Sequence, residues 1–275
     1  MRVCLITPEP GHPLLAAATG LLRAAGHRVD ALDPAAEHPA GAPADVYLLK
    51  ARTPRALALA RELEGRGAVV VNSAAATGLC QDRTEMAALA LAAGLPFAAT
   101  RTHASLAAWA AQEAALRDGS LPDPPVVVKS RHSRRHDLVA RVDDRARLRE
   151  LAAQWPREPV VVQDFAPNSG WDHKLWVIGG RVFAALRRSE LAPEGRGPAR
   201  PLDPAGLPDG WADLAMRTGE VFSLDVYGLD VVDTGGGTPL IVDVNAFPGI
   251  RGQDGAPQAL ADLALARARA GRRRG

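Results

Sequence analysis

The chain has 275 residues, of which 47% are apolar, enough for two domains with sizeable cores. Lys and Arg number 33 against 31 Asp and Glu, a balance that argues against a nucleic-acid binder. Two cysteines make no disulfide scaffold and favour an intracellular setting.

The first apolar run, residues 3–6, is too short for a signal peptide, and no apolar stretch is long enough to span a membrane. Residues 2–7 read as a strand and 14–25 as a helix closed by Gly26. Residues 29–32 and 46–50 read as two more strands. Thr53 and Pro54 supply an N-cap and a first-turn proline, opening a helix over 55–64, and 68–71 is a fourth strand. Strands alternating with helices predict a doubly wound parallel sheet. G-x-G-x-x-G is absent, so a dinucleotide-binding reading has little support.

Residues 82–93 predict a helix closed by Gly94 and Pro96, and Ser105 caps another over 106–116. After the Pro-rich stretch 121–125 come a strand at 126–129, a loop reading SRHSRRHD, and a strand at 138–142. A helix over 143–154, a strand at 160–163 and a hairpin over 172–188 turning at Gly179-Gly180 follow. Residues 191–210, rich in Pro and Gly, are long enough for an active-site loop. Helices over 211–223 and 257–270 flank a last hairpin, and Arg272 to Arg274 read as a solvated tail.

That hairpin organises the rest. Residues 228–252 read GLDVVDTGGGTPLIVDVNAFPGIRG: two apolar runs around a glycine turn. A turn centred between Gly236 and Gly237 places Asp230 opposite Asp243, and Asn245 falls on the same strand face as Asp243. Asp is depleted in strand interiors, yet Asp243 interrupts an apolar run. Two carboxylates and an amide are hard oxygen donors of the kind that hold Mg²⁺; the plainer reading is polar residues capping a turn.

Other residues stand out by position. Lys129 ends an all-Val strand, and Gln163-Asp164-Phe165 ends the next. Asp172, Lys174 and Trp176 share a face by period two, where a cross-strand ion pair is the modest alternative. Arg187 and Arg188 point to opposite faces, and Arg188 has the parity of Asp172 and Lys174. No G-x-S-x-G elbow and no Cys/His zinc spacing is present.

Taken together, a GxD strand, D-x-N before F-P-G, V-V-V-K and Q-D-F resemble the ATP-grasp superfamily from about residue 72 to 252. Two branches come closest: ligases that add glutamate to ribosomal protein tails, and inositol-phosphate kinases. The resemblance implies an α/β chain: an N-terminal doubly wound parallel-sheet domain, 1–81, then an ATP-grasp unit of two α+β lobes, 82–275. The nucleotide lobe would cover about 101–165 and the metal lobe about 166–275.

It also implies roles. Lys129 would meet the nucleotide phosphates, and the backbone of Gln163, Asp164 and Phe165 would read adenine. Asp172 would hold the ribose or position Lys174, which would meet phosphate. Arg188 and Ser189 would lie near the transferring group, and Asp230, Asp243 and Asn245 would hold Mg²⁺, or Mn²⁺ in its place. The 130–137 loop departs from the Gly-rich pattern; its cations would replace backbone amides, and His136 would match the kinase branch's histidine. Lys50 matches a basic position that would bind an anionic acceptor.

The implied reaction is Mg²⁺-dependent phosphoryl transfer from ATP to a carboxylate, the acyl phosphate then meeting an amine. The alternatives are a kinase acting on a polyol phosphate and a nucleotide-binding protein without turnover. The R-x-S-x-L run after the 172–188 hairpin favours the kinase, and the lack of a strongly basic face favours the ligase. A small-molecule or peptide acceptor, a cytoplasmic setting and a homo-oligomer complete the expectation, with no nucleic acid and no membrane.

Overall fold

Val3 and Leu5 alternate with Cys4 and Ile6 along β1 (Arg2–Ile6), and all four are buried. A strand apolar on both faces needs cover on both, which is the mark of a parallel sheet. The cover is supplied by α1 (Pro13–Ala24) on one face and α2 (Pro54–Gly65) on the other. β2 (Arg28–Leu32), β3 (Val46–Leu49) and β4 (Val70–Val71) complete a parallel sheet ordered β2-β1-β3-β4. The doubly wound expectation holds, although β4 is shorter than the sequence suggests. The structure is a computed structural model and describes residues 1–36, 43–115, 125–134, 136–192 and 197–273.

Asn72 follows β4 and is 2% exposed. Its side chain donates to the Val226 carbonyl at 2.7 Å and accepts from the Asp225 and Val226 amides at 2.8 and 3.0 Å. Two short helices come next, α3 (Ala74–Leu79) and α4 (Arg83–Ala92). Asp82 caps α4, its carboxylate accepting from the Thr84 amide at 2.9 Å.

The second sheet is antiparallel and ordered β5-β8-β6-β7. It is built from β5 (Thr100–His103), α5 (Leu106–Ala115), β6 (Val126–Ser130), β7 (Val139–Val142), α6 (Arg145–Gln154) and β8 (Val160–Asp164). Val126, Val128, Val160 and Val162 pack against α5 and α6. By the period of two, Val127, Lys129 and Gln163 point the other way. β5 has no apolar alternation and escapes a sequence reading.

The third sheet is antiparallel and ordered β11-β10-β9-β12-β13. Its members are β9 (Trp171–Ile178), β10 (Arg181–Arg188), β11 (Ala199–Leu202), β12 (Val226–Asp233) and β13 (Pro239–Ala246). One face carries Leu175, Val177, Leu229, Val231 and Val244 against α4 and α7 (Trp211–Phe222). Tyr227 lies so close to α7 that a Cβ at Gly219 would overlap its phenol, which explains that glycine in a helix interior. The Tyr227 hydroxyl donates to the Ala215 carbonyl at 2.8 Å.

The last helix, α8 (Ala256–Arg272), packs against α1 and the first sheet, and the same cluster takes in Ile178, Phe183 and Val226 of the third sheet. The first and third sheets therefore share one core. No helix among the described residues is long and apolar enough to cross a membrane. Cys4 and Cys80 are both free and buried.

Candidate active site

The β12–β13 hairpin turns on Gly235-Gly236-Gly237, with the Thr234 amide donating to the Thr238 carbonyl at 3.0 Å. Asp233 sits opposite Pro239 and Val231 opposite Ile241, so the turn is centred on Gly236 rather than half a residue beyond it. Continued unbroken, that register would turn Asp243 toward α7. A bulge between Asp230 and Val231 shifts the pairing by one residue, and Asp230 then stands opposite Asp243 as the sequence predicts. Asp230, Asp243 and Asn245 all line one cavity.

That cavity, of about 520 Å³, lies between the second and third sheets. Val127, Lys129 and Gln163 line it from the second sheet, and Asp172, Lys174 and Asp230 from the third. Lys174 stands opposite Asp230 across the β9–β12 ladder, its Nζ 2.7 Å from that carboxylate and 3.3 Å from Asp172. Lys129, 6% exposed, donates from Nζ to the carbonyl of the bulged Val242 at 2.7 Å. Burial pushes the Lys129 ammonium below its usual range, opposed by the charge of Asp243. Burial acts on Asp243 in the upward sense, but Arg83 and Lys129 outweigh it and hold this carboxyl below the usual carboxylate range.

The hinge residues Gln163, Asp164 and Phe165 line the cavity too. Gln163 donates to the Thr100 hydroxyl at 3.0 Å, Asp164 pairs with Arg101 at 2.8 Å, and Arg141 lies 4.1 Å over the Phe165 ring. Ser189 reaches the cavity from the end of β10, its hydroxyl accepting from the Leu191 amide at 3.3 Å.

Three expectations change. Across β9–β10, Arg187 stands opposite Asp172, and Arg188 opposite Trp171. Directly opposed residues share a face, so Arg187, not Arg188, belongs with Asp172 and Lys174. The hairpin pairs Ile178 with Arg181, an odd sum, which reverses parity from one strand to the other. Arg188 instead lies 4.9 Å from the Trp171 ring, although both arginines line the cavity.

His136 is exposed at φ +60° and does not line the cavity. The loop's cations are also engaged by neighbours: Arg131 with Asp82 at 2.7 Å and Arg134 with Glu158 at 2.7 Å. Arg135 and Arg274 lie outside the described residues.

Lys50 stands apart from the main cavity. Its Nζ donates to the Phe247 carbonyl at 2.9 Å, at the carboxyl end of β3. Burial, then Arg52, pushes its pKa down to about 8. Arg52 itself lines the cavity, its Nη1 3.4 Å from the Asn245 amide oxygen.

Arg83 escaped the sequence reading. It opens α4, is 7% exposed at its side chain, and bridges Asp137 at 2.7 Å and Asp243 at 3.1 Å. An Arg at a helix start reads as a solvated charge; only its distant partners, invisible in the sequence, bury it.

A divalent cation fits this place. Asp230 and Asp243 bring carboxylates and Asn245 an amide to one cavity, and carboxylate and amide oxygens are what hard cations take.

The RimK-like ATP-grasp domain model matches residues 101–266, more than half of the chain. A "Probable alpha-L-glutamate ligase" of Rhodopirellula baltica is 33% identical over 107 residues, 38% of this chain and 26% of that protein. The match thus spans about a quarter of that curated relative's length. Among solved structures, the RimK domain ATP-grasp protein of Sphaerobacter thermophilus superposes with a TM-score of 0.71 at 26% identity, over 96% of this chain and 100% of that one. The ATP-grasp ligase PsnB, solved with a minimal precursor, shares the fold with a TM-score of 0.69 at 18% identity, over 97% and 99% of the two chains.

Proposed function

The chain belongs to the RimK-like ATP-grasp family, and on that premise we propose that it is an ATP-dependent carboxylate–amine ligase. The observation that carries this reading is one cavity holding two buried lysines beside two opposed carboxylates. ATP enters with adenine at the 163–165 segment, where Val127, Val139 and Phe165 give an apolar seat. Lys129 and Lys174 meet its phosphates, fixed beforehand by the Val242 carbonyl and by Asp172 and Asp230. Asp230, Asp243 and Asn245 hold Mg²⁺ or Mn²⁺. A bound divalent cation supplies neutralisation of phosphate charge. Arg187, on the same face as Lys174, adds a further cation near the transferring group.

The γ-phosphoryl group passes to a carboxylate oxygen of the acceptor, leaving ADP and an acyl phosphate. An amine then attacks the acyl carbon; the amide bond forms, and inorganic phosphate and a proton leave. Cations already oriented at the phosphates lower the barrier mainly by positioning and electrostatics. The acceptor is a small molecule or a peptide. The relatives' names support this reading: one is named "Probable alpha-L-glutamate ligase" and another is an ATP-grasp ligase complexed with a minimal precursor.

The ion pairs of Arg131 and Arg134 weigh against a kinase for a polyol phosphate, since those cations already have carboxylate partners. The test supplies ATP, Mg²⁺, candidate acids and candidate amines. Phosphate release is expected only when acid and amine are both present, with hydroxylamine trapping a hydroxamate. Phosphate retained on a hydroxyl, with no amine requirement, would overturn the ligase.

A further inference from the structure

Arg83 does nothing for the helix it opens. A cation in the first turn opposes the helix dipole, and a buried guanidinium is costly to desolvate unless it is paired. Its contacts all lead elsewhere. Nη1 donates to the Ser130 carbonyl at 2.8 Å and to Asp137 Oδ2 at 2.7 Å. Nη2 donates to Asp243 Oδ2 at 3.1 Å. The Arg83 backbone amide donates to the Arg131 carbonyl at 2.9 Å, and Asp82 grips the Arg131 guanidinium at 2.7 to 3.0 Å. Both ends of the 130–137 loop are thus tied to the start of α4, and one guanidinium carries that tie on to β13.

We propose that Arg83 is a positioning residue that locks the 130–137 loop to the metal-bearing carboxylate Asp243. This rests on the ligase reading, in which Asp243 holds a divalent cation beside the nucleotide phosphates. The loop lines the same cavity through Ser133, Arg134 and Asp137. A planar fork fixes the angle between two carboxylates as well as their distance, which an ammonium on a flexible stem cannot do. Loop placement and carboxylate placement therefore become a single arrangement, and the site is set for a nucleotide carrying both phosphate and metal.

The experiment is calorimetric titration of the full chain with Mg-ATP and with adenosine, for the wild type, Arg83→Lys, Asp137→Asn and the double variant. Wild type is expected to bind Mg-ATP more tightly than adenosine; failure there overturns the ligase reading, and this inference with it. Arg83→Lys is expected to weaken Mg-ATP about tenfold, the scale of one charged hydrogen bond, with adenosine affinity unchanged. Asp137→Asn should weaken Mg-ATP by a smaller factor, and the double variant should bind no worse than Arg83→Lys. If Arg83→Lys does not fold, Asp137→Asn alone still reads the loop tie through the Mg-ATP to adenosine ratio. Parallel loss of both ligands, or additive effects in the double variant, would overturn the proposal.

Discussion

Lys174 and Asp230 face each other across two hydrogen-bonded strands, their charged groups 2.7 Å apart and the lysine only 4% exposed. A pair so placed holds the lysine's orientation before any ligand arrives. It also means that the carboxylates here already have cation partners, which shapes what their replacement does.

Asp243→Asn keeps the shape of the side chain and removes its charge. Of the two carboxylates that Arg83 bridges, Asp137 would then be the one still charged. Folding stability is expected to fall by about 1–3 kcal/mol, the cost of weakening a buried charged hydrogen bond. Mg²⁺-dependent turnover is expected to fall by about a hundredfold or more. Denaturant titration and a phosphate-release assay read the two effects, and near-wild-type turnover would remove Asp243 from the metal site.

Lys129→Met separates stability from function in the opposite sense. The buried ammonium donates to the Val242 carbonyl, and burial outweighs the favourable charge of Asp243. An apolar side chain of similar length should leave the melting temperature unchanged or higher. ATP affinity should drop while adenosine affinity stays. A stability loss with equal weakening of both ligands would mean that the lysine is architectural.

Arg187→Met should lower turnover more than Arg188→Met. Arg187 shares its strand face with Asp172 and Lys174, and Arg188 lies over Trp171. Steady-state kinetics on the two single variants decides it; an equal or reversed order would return Arg188 to the transfer site.

Lys50 makes a pH prediction. Its folded pKa, about 8, lies below its ordinary value of 10.5. Between these values the folded state binds fewer protons than the unfolded state, so stability rises with pH across the window. Below pH 8 the cost of the buried charge is fully present. Lys50→Met should therefore be more stable than wild type at neutral pH, and the gap should close between pH 8 and 10.5. Melting curves of both proteins across that range provide the check. A gap that stays constant would mean that Lys50 titrates normally.

Much of this architecture is legible in the sequence, for reasons that differ by element. The parallel sheet announces itself because strands buried on both faces alternate with helical periods. The pairing of Asp230 with Asp243 emerges from a simple hairpin count, yet the count works only because two departures cancel. The turn is centred on Gly236, and the bulge beside Asp230 restores the lost residue. Neither leaves a sequence signal that separates it from the other. The parity of Arg187 and Arg188 fails for the same reason: which residues close a turn decides every face beyond it. Arg83 is illegible because its partners lie 54 and 160 residues away.

The shared core between α1, the first sheet and α8 bears on how the protein is made. On the ribosome, residues 2–71 emerge before residues 256–272, with Val3, Leu5 and Leu14 already in hand. The helix that shields them, Ala256–Arg272, is synthesised long afterwards. Asn72 likewise waits for Val226 before its amide finds partners. On the nascent chain α1 can cover its share of the first sheet at once, while the share that falls to α8 stays exposed until that helix is made.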